Sequence, residues 1–228
     1  MIIAVTNLKG GVGKSTISRT LGVFFAQRGA KTCIVDTDME QKTSTDWCTR
    51  RPESAVYVPV FPMTSIENLS RDIKTHVDNG YEIIIVDGVP QLSESATKTI
   101  ALSDLIIIPV EPSLDDILSL EKFISRYNQV KMIRGAIPAY TVMNRFSGRN
   151  LEDTESQETV EVFREAGIIP MKSYLENRIS HRRQSKFGLT VLDAGADDKI
   201  EKEVKKARAE TLAFCEEIEE IIVNILKP

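Results

Sequence analysis

Glycine, lysine and hydroxyl residues lie close together near the start of this 228-residue chain, in a pattern that could bind phosphate. The stretch consists of Lys9, Gly10, Gly11, Val12, Gly13, Lys14, Ser15 and Thr16. Glycines let backbone N–H groups point at phosphate oxygens, because no Cβ stands in the way. Lys14 can reach the β and γ phosphates, and the Ser15 hydroxyl can ligate Mg²⁺. The loop therefore predicts a nucleoside-triphosphate site.

The beginning of this loop departs from the usual phosphate-loop pattern. That pattern has glycine where this chain has Leu8, and the loop opens instead with a second lysine, Lys9. Lys9 is poorly placed for its own nucleotide, since Lys14 already serves that site. We expect Lys9 to reach across an interface to the nucleotide of a second subunit, as an arginine finger does. The alternative is a solvated surface lysine.

Three aspartates follow hydrophobic runs that read as strands: Asp36, Asp38 and Asp87. Open parallel sheets bind ligands beyond the carboxyl ends of their strands, so these side chains can approach Ser15. Carboxylates there would hold Mg²⁺ directly or through its waters. Any single one of them could instead cap a helix or stabilise a turn. The three together favour a metal site.

Short runs rich in Ile and Val alternate with longer amphipathic stretches along the chain. Runs of this kind, apolar on both faces, are typical of a parallel sheet covered by helices on each side. The predicted strands are Ile2–Val5, Thr32–Val35, Glu82–Val86, Leu105–Val110 and Tyr140–Met143. We therefore predict an α/β fold of the phosphate-loop type, with a mostly parallel sheet flanked by helices on both faces.

The predicted helices connect these strands and close the chain. The first begins near Lys14 and ends before Gly29, which suits a helix C-cap, and others span Ile66–Val77 and Ile117–Val130. A long helix is predicted over 198–226, with one apolar stripe. That stripe could lie on its own domain or form a seam with a partner chain.

Composition narrows the class of protein. Hydrophobic residues at 42% and charged residues at 27% are ordinary for a globular protein, and the length suits one domain over 1–228. Cys33, Cys48 and Cys215 are far apart, which favours a reducing cytoplasm. No apolar run approaches the roughly 18–20 residues that cross a bilayer. The net charge of −4 argues against a coat of nucleic acid, although a local basic patch could bind it.

The loop from Lys9 to Thr16 resembles the deviant Walker A motif of the ParA/MinD family of phosphate-loop ATPases. Val35–Asp38 resembles the family's Asp-x-Asp element, and Ile83–Asp87 resembles its Walker B strand. The resemblance is good to about residue 145 and weaker through Leu192. It implies ATP and Mg²⁺ as cofactors, weak ATPase activity and a homodimer in the ATP state.

The same resemblance implies roles for individual residues. Asp38 would position the attacking water, while Asp36 and Asp87 would orient Mg²⁺. Asn144 resembles the family position that hydrogen-bonds adenine, although a turn asparagine is nearly as good an interpretation. Lys14 and the partner's Lys9 would stabilise charge on the γ-phosphate.

The charges near the C-terminus of the sequence help to identify the branch of the family. Four glutamates between Cys215 and Pro228 would be repelled by anionic lipid, so we expect no membrane anchoring. The resemblance is greatest to small plasmid-type ParA partition proteins. It implies a protein in the cytoplasm, on the nucleoid, with non-specific DNA and a small centromere-binding ParB-type protein as partners. An ATP-gated scaffold like the VirC1 group, recruiting a conjugation or polar-localisation complex, is the alternative.

Two basic clusters could contact DNA. The first, expected to bind DNA phosphates, contains Arg178, Arg182, Arg183 and Lys186. The second, on the early part of the last helix, contains Lys202, Lys205, Lys206 and Arg208. Both could instead be solvated faces with ion pairs to nearby glutamates.

Overall fold

One seven-stranded sheet organises the part of the chain that the computed structural model describes, residues 1–89, 94–111, 114–146, 154–193 and 202–227. The strand order is β3-β2-β4-β1-β5-β6-β7, and every neighbouring pair is parallel. The strands are β1 Ile2–Val5, β2 Thr32–Asp36, β3 Val60–Pro62, β4 Ile83–Asp87, β5 Leu105–Val110, β6 Ala139–Phe146 and β7 Ile169–Glu176.

Helices cover both faces of this sheet, because the inner strands are apolar on both sides. The helices are α1 Lys14–Gln27, α2 Thr43–Thr49, α3 Leu69–Asp78, α4 Glu94–Leu102, α5 Leu114–Arg134, α6 Thr154–Glu165, α7 Ile179–Ser185 and α8 Lys202–Leu226. Ile3 and Val5 pack in one cluster with residues of α1, α2 and α8, and Ala4 packs in another with residues of α5 and α6. A third cluster joins Val35 and α3. The predicted α/β fold is confirmed.

The strands buried on both faces lie where the sequence predicts them. β1 and β5 match residue for residue, and β2 and β4 each end one residue later than expected, on Asp36 and Asp87. β6 runs from Ala139 to Phe146, so Asn144 lies within a strand and not in the turn after it.

The sheet's two edge strands, β3 and β7, were missed by the sequence analysis. β3 has three residues, all at least partly exposed, and ends on a proline. β7 carries Pro170, Lys172 and Ser173 in its interior. An edge strand needs neither a continuous apolar run nor every backbone N–H group, so its sequence lacks the signal that identifies a buried strand.

The long C-terminal helix α8 packs on its own sheet. Phe214 and Ile218 are fully buried in the same cluster as Ile17 and Leu21 of α1. Of the two interpretations of its apolar stripe, the structure therefore supports packing on the helix's own domain. The predicted start at residues 198–201 lies outside the described residues. No helix in the described ranges is long and apolar enough to span a membrane.

Candidate nucleotide-binding site

The predicted phosphate loop connects the central strand β1 to α1 and is anchored at its beginning by Asn7. This side chain is buried, and its Nδ2 donates to the Pro109 carbonyl at the end of β5, 2.7 Å away. Its Oδ1 accepts the backbone N–H of Lys9 at 3.2 Å. Asn7 therefore fixes where the loop leaves the sheet. Sequence analysis missed it, although an amide between a buried strand and a glycine-rich loop is a usable signal.

The far end of the loop is held by Gly13 and Asn144. Gly13 has a φ of 95°, a left-handed conformation that favours glycine, and it precedes the first residue of α1. The Nδ2 of Asn144 donates to the Val12 carbonyl at 2.6 Å, and a Cβ added to Gly13 would lie only 2.1 Å from that nitrogen. Asn144 thus supports the loop from β6. Its predicted contact with adenine stays a prediction.

Lys14 is buried beneath the loop and points along it. Its Nζ donates to the carbonyl oxygen of Lys9 at 2.7 Å. Burial lowers the pKa of Lys14 to about 8, while the nearby carboxylates of Asp87 and Asp38 oppose that fall. Burial of an ammonium is costly even with these carboxylates nearby, and phosphate oxygens would stabilise its charge further.

Asp87, at the end of β4, lies in a network of hydroxyl groups. Ser18 donates to its Oδ1 at 3.1 Å, and Ser44 donates to its Oδ2 at 2.6 Å. Burial raises the pKa of Asp87 to about 6, while hydrogen bonds from Ser44 and Ser15 oppose the rise. Ser15 and Asp87, both predicted for magnesium, are therefore adjacent in the structure.

The other two aspartates stabilise the segment that follows β2. The Oδ2 of Asp36 accepts the backbone N–H groups of Ser44 and Thr45 at 3.0 and 2.9 Å, so it binds the first turn of α2. The Oδ1 of Asp38 accepts the N–H groups of Glu40 and Gln41, at 3.2 and 2.9 Å. Both therefore have the capping or turn role that the sequence left open. Their roles toward Mg²⁺ and water stay predictions.

A cavity of about 160 Å³ opens beside the loop, next to Gly13 and Thr16. Its walls come from α1 and from the ends of β6 and β7. They include Ile17, Thr20, Asn144, Arg145, Glu176 and Arg178. This is where the nucleoside part of a ligand would extend from phosphates bound at the loop.

Comparison with known proteins identifies the family. Residues 3–185 match the model of the CobQ/CobB/MinD/ParA nucleotide binding domain. The chain belongs to this family. It is 28% identical to "Maintenance of carboxysome distribution protein A" of Halothiobacillus neapolitanus over 198 residues, 85% of this chain and 88% of the relative. It is 26% identical to the sporulation initiation inhibitor protein Soj of Bacillus subtilis over 179 residues, 60% of this chain and 71% of Soj.

A solved structure has the same fold as this CobQ/CobB/MinD/ParA family member. The septum site-determining protein MinD of Pyrococcus horikoshii, in a complex with Mg-ADP, superposes with a TM-score of 0.74. The two chains are 18% identical, and the match covers 100% of this chain and 99% of MinD. The fold agrees with the family match over residues 3–185, and that match confirms the predicted resemblance to the ParA/MinD family.

The basic residues predicted for DNA binding in this ParA/MinD-family chain are not equivalent. Arg178 binds Glu210 through its Nε at 2.8 Å and lies 3.0 Å from a carboxylate oxygen of Glu176, so its charge is compensated within the protein. The other three, on or just after α7, are exposed: Arg182, Arg183 and Lys186. In the second cluster, the exposed residues at the start of α8 are Lys202, Lys205 and Lys206.

Nucleotide binding should take up a proton at alkaline pH. Because the pKa of Lys14 is about 8, its side chain is mostly neutral near pH 9, and triphosphate oxygens would restore the ammonium. We expect uptake of close to one proton per bound nucleotide at about pH 9 and almost none at about pH 7. Titration calorimetry in two buffers of different ionisation enthalpy measures this number. Equal proton uptake at both pH values would contradict this account of Lys14.

Proposed function

We propose that this chain is a ParA-type ATPase that dimerises around ATP, binds DNA non-specifically as the dimer and positions a cargo on it. Its ATP hydrolysis is slow and is stimulated by a partner. The observation that carries the proposal is the buried Lys14 ammonium in a glycine loop that also contains Lys9. Lys14 serves the loop's own phosphates, and Lys9 would act on the nucleotide of a second subunit, as an arginine finger does.

In this proposal the residues of the loop divide the work of holding ATP. The backbone N–H groups of the loop from Gly10 to Thr16 surround the phosphates, and the N-terminus of α1 adds its positive dipole. When ATP binds, the Lys14 ammonium gives up its hydrogen bond to the Lys9 carbonyl and contacts the β and γ phosphates instead. The partner subunit's Lys9 adds charge at the γ-phosphate, and Asp38 orients the attacking water.

The residues around Ser15 fit a magnesium ion. No group of three or more His, Cys, Asp or Glu in the described ranges could hold a metal by itself. Mg²⁺ suits such a place, since it takes one or two protein ligands and completes its shell with water and phosphate oxygens. Ser15 and Asp87 would hold it, with Asp36 in support. When bound, the ion neutralises charge on the phosphates.

The cargo proposed from the sequence is a plasmid or chromosome, delivered through a small centromere-binding ParB-type protein. A second candidate is a protein compartment, which the name of the Halothiobacillus relative, a carboxysome distribution protein, favours. Both place the protein on the nucleoid in the cytoplasm. The VirC1-like scaffold is a third candidate, in which hydrolysis is incidental.

ATP-dependent DNA binding tests the proposed function. Binding to duplexes of unrelated sequence should appear with Mg-ATP and be lost with Mg-ADP. Changing Arg182 and Arg183 together to alanine should weaken binding to every duplex about equally and make its salt dependence shallower, because phosphates and not bases are contacted. Fluorescence anisotropy over a range of salt concentrations measures both effects. Because Arg182 also lines the cavity beside the phosphate loop, ATP affinity is measured in parallel, and DNA binding is compared at saturating Mg-ATP.

Replacing Asp38 separates hydrolysis from binding. Asp38→Ala should still bind ATP and dimerise, since the loop and Lys14 are intact, but release phosphate at least about a hundredfold more slowly. Equilibrium binding, light scattering and phosphate release measure the three properties. Loss of ATP binding in this variant would assign Asp38 to the structure or the metal, and its water-orienting role would be wrong.

A further inference from the structure

A second cavity, of about 360 Å³, lies on the outer side of α1, between the end of α2 and α7. We name it the arginine pocket. Its lining includes Thr16, Arg19, Arg50, Arg182, Ser185 and Lys186. Thr16, His181 and Arg182 also line the cavity beside the phosphate loop, so the two cavities are neighbours and share one wall.

Positive charge dominates the lining of the arginine pocket. Four of its residues are cations, and no carboxylate belongs to the lining that the described residues form. Arg182 in α7 and Lys186 just after this helix are four residues apart, a spacing at which like charges repel one another. None of the four cations forms an ion pair with the described part of the chain.

Arg19 forms the floor of the pocket, and hydrogen bonds hold its side chain in place. It is 6% exposed, its Nε donates to the Ser15 carbonyl at 2.7 Å, and its NH1 donates to the Ser185 hydroxyl at 3.0 Å. These two bonds fix the guanidinium plane between the phosphate loop and α7. Burial is the main cause that lowers the pKa of Arg19. The carboxylates of Asp87 and Asp36, which do not line the pocket, oppose that fall, and the charge of Arg50 adds to it.

A protein that gathers like charges around an open cavity loses stability through their repulsion, unless an anion binds there. Guanidinium groups match the oxygens of phosphate, which can accept two parallel hydrogen bonds. Hydroxyl groups such as that of Ser185 add donors of the kind that phosphate sites use.

We propose that the arginine pocket binds a phosphate group at a site separate from the phosphate loop. Its mouth is continuous with the exposed basic face of α7, which favours a phosphate of the DNA backbone as the occupant. With DNA as the occupant, the inference rests on the proposed DNA binding and adds Arg19 and Arg50 to the residues that contact DNA. A free phosphate compound offers the same chemistry. Arg19 is hydrogen-bonded to the carbonyl of Ser15, so a phosphate in the pocket and a nucleotide in the phosphate loop would contact residues that are directly linked.

Arg50→Ala tests this site with little risk to the fold, because Arg50 is exposed and its side chain forms no hydrogen bond or ion pair with the described residues. Loss of the Arg50 guanidinium should weaken Mg-ATP-dependent binding to a DNA duplex about tenfold. It should also lower the slope of log affinity against log salt concentration by about 0.9. Arg50→Lys, which retains the charge, should keep most of the affinity. Arg71→Ala is the matched control, since Arg71 is exposed on α3, on the opposite face of the sheet. ATP affinity should be unchanged in all three variants.

A second measurement distinguishes the source of the phosphate. With the phosphate loop saturated with Mg-ADP, tripolyphosphate should raise the melting temperature of the unmodified protein more than that of Arg50→Ala if the occupant is a free compound. If only the DNA measurement responds to Arg50→Ala, the occupant is the DNA backbone. If neither responds, the site does not exist. DNA binding lost with Arg182 and Arg183 but unaffected by Arg50→Ala would overturn the pocket and leave the proposed function standing.

Discussion

Lys14→Met should bind Mg-ATP at least about a hundredfold more weakly than the unmodified protein, because truncating one partner of a close charge pair costs several kcal/mol. The methionine side chain has a similar length and fills the same buried space without the charge. Equilibrium binding of a fluorescent ATP analogue measures the loss. Micromolar affinity in this variant would contradict the assignment of the phosphate loop.

The same variant should fold at least as stably as the unmodified protein without nucleotide. The lowered pKa of Lys14 means that the fold disfavours its charged form, so removing the charge relieves a cost of burial. Thermal unfolding at neutral pH, without nucleotide, measures this. Lys74→Ala, an exposed lysine on α3, is the control and should change neither stability nor ATP affinity. A large loss of stability in Lys14→Met would make Lys14 a structural residue, and weak ATP binding would then need another explanation.

The phosphate loop could be predicted from sequence because its chemistry is local. Gly13 and Lys14 are adjacent in the chain, and the glycine is needed where it stands, since a Cβ there would collide with Asn144. The ends of β2 and β4 could be predicted for a related reason. A strand buried on both faces is apolar along its length, so an aspartate at its end marks the carboxyl edge of the sheet, where a ligand can bind.

The contacts that support this site could not be predicted in the same way. The first turn of α2 is one such case. Asp36 binds that turn, but α2 is only seven residues long and has no apolar stripe by which sequence analysis could identify it. Arg19 lies in α1 among residues that look like a helix surface, yet α2 and α7 enclose it. Such burial depends on elements distant in the chain, and sequence periodicity does not report it. The ion pair between Arg178 and Glu210 is hidden for the same reason.

Lys9→Ala should bind ATP as a monomer with nearly normal affinity but lose ATP-dependent dimerisation. Its own loop keeps the glycines and Lys14, so its own site is intact. If Lys9 acts on the partner's γ-phosphate as an arginine finger does, stimulated hydrolysis should fall by about a thousandfold or more, and DNA binding should fall with dimerisation. Light scattering and phosphate release with saturating Mg-ATP measure these effects, with Lys74→Ala as the control. Full dimerisation and hydrolysis by Lys9→Ala would make Lys9 a surface lysine.

Mixing two inactive variants tests whether Lys9 acts between subunits. One chain carries Lys9→Ala and the other Lys14→Met, so in the mixed dimer only the first chain holds nucleotide. The Lys9 that reaches this nucleotide belongs to the Lys14→Met chain and is intact, so the one occupied site is complete. Weak but measurable hydrolysis should therefore return on mixing, although neither variant is active alone. If Lys9 served its own nucleotide instead, the occupied site would lack it in every dimer, and no mixture would recover activity.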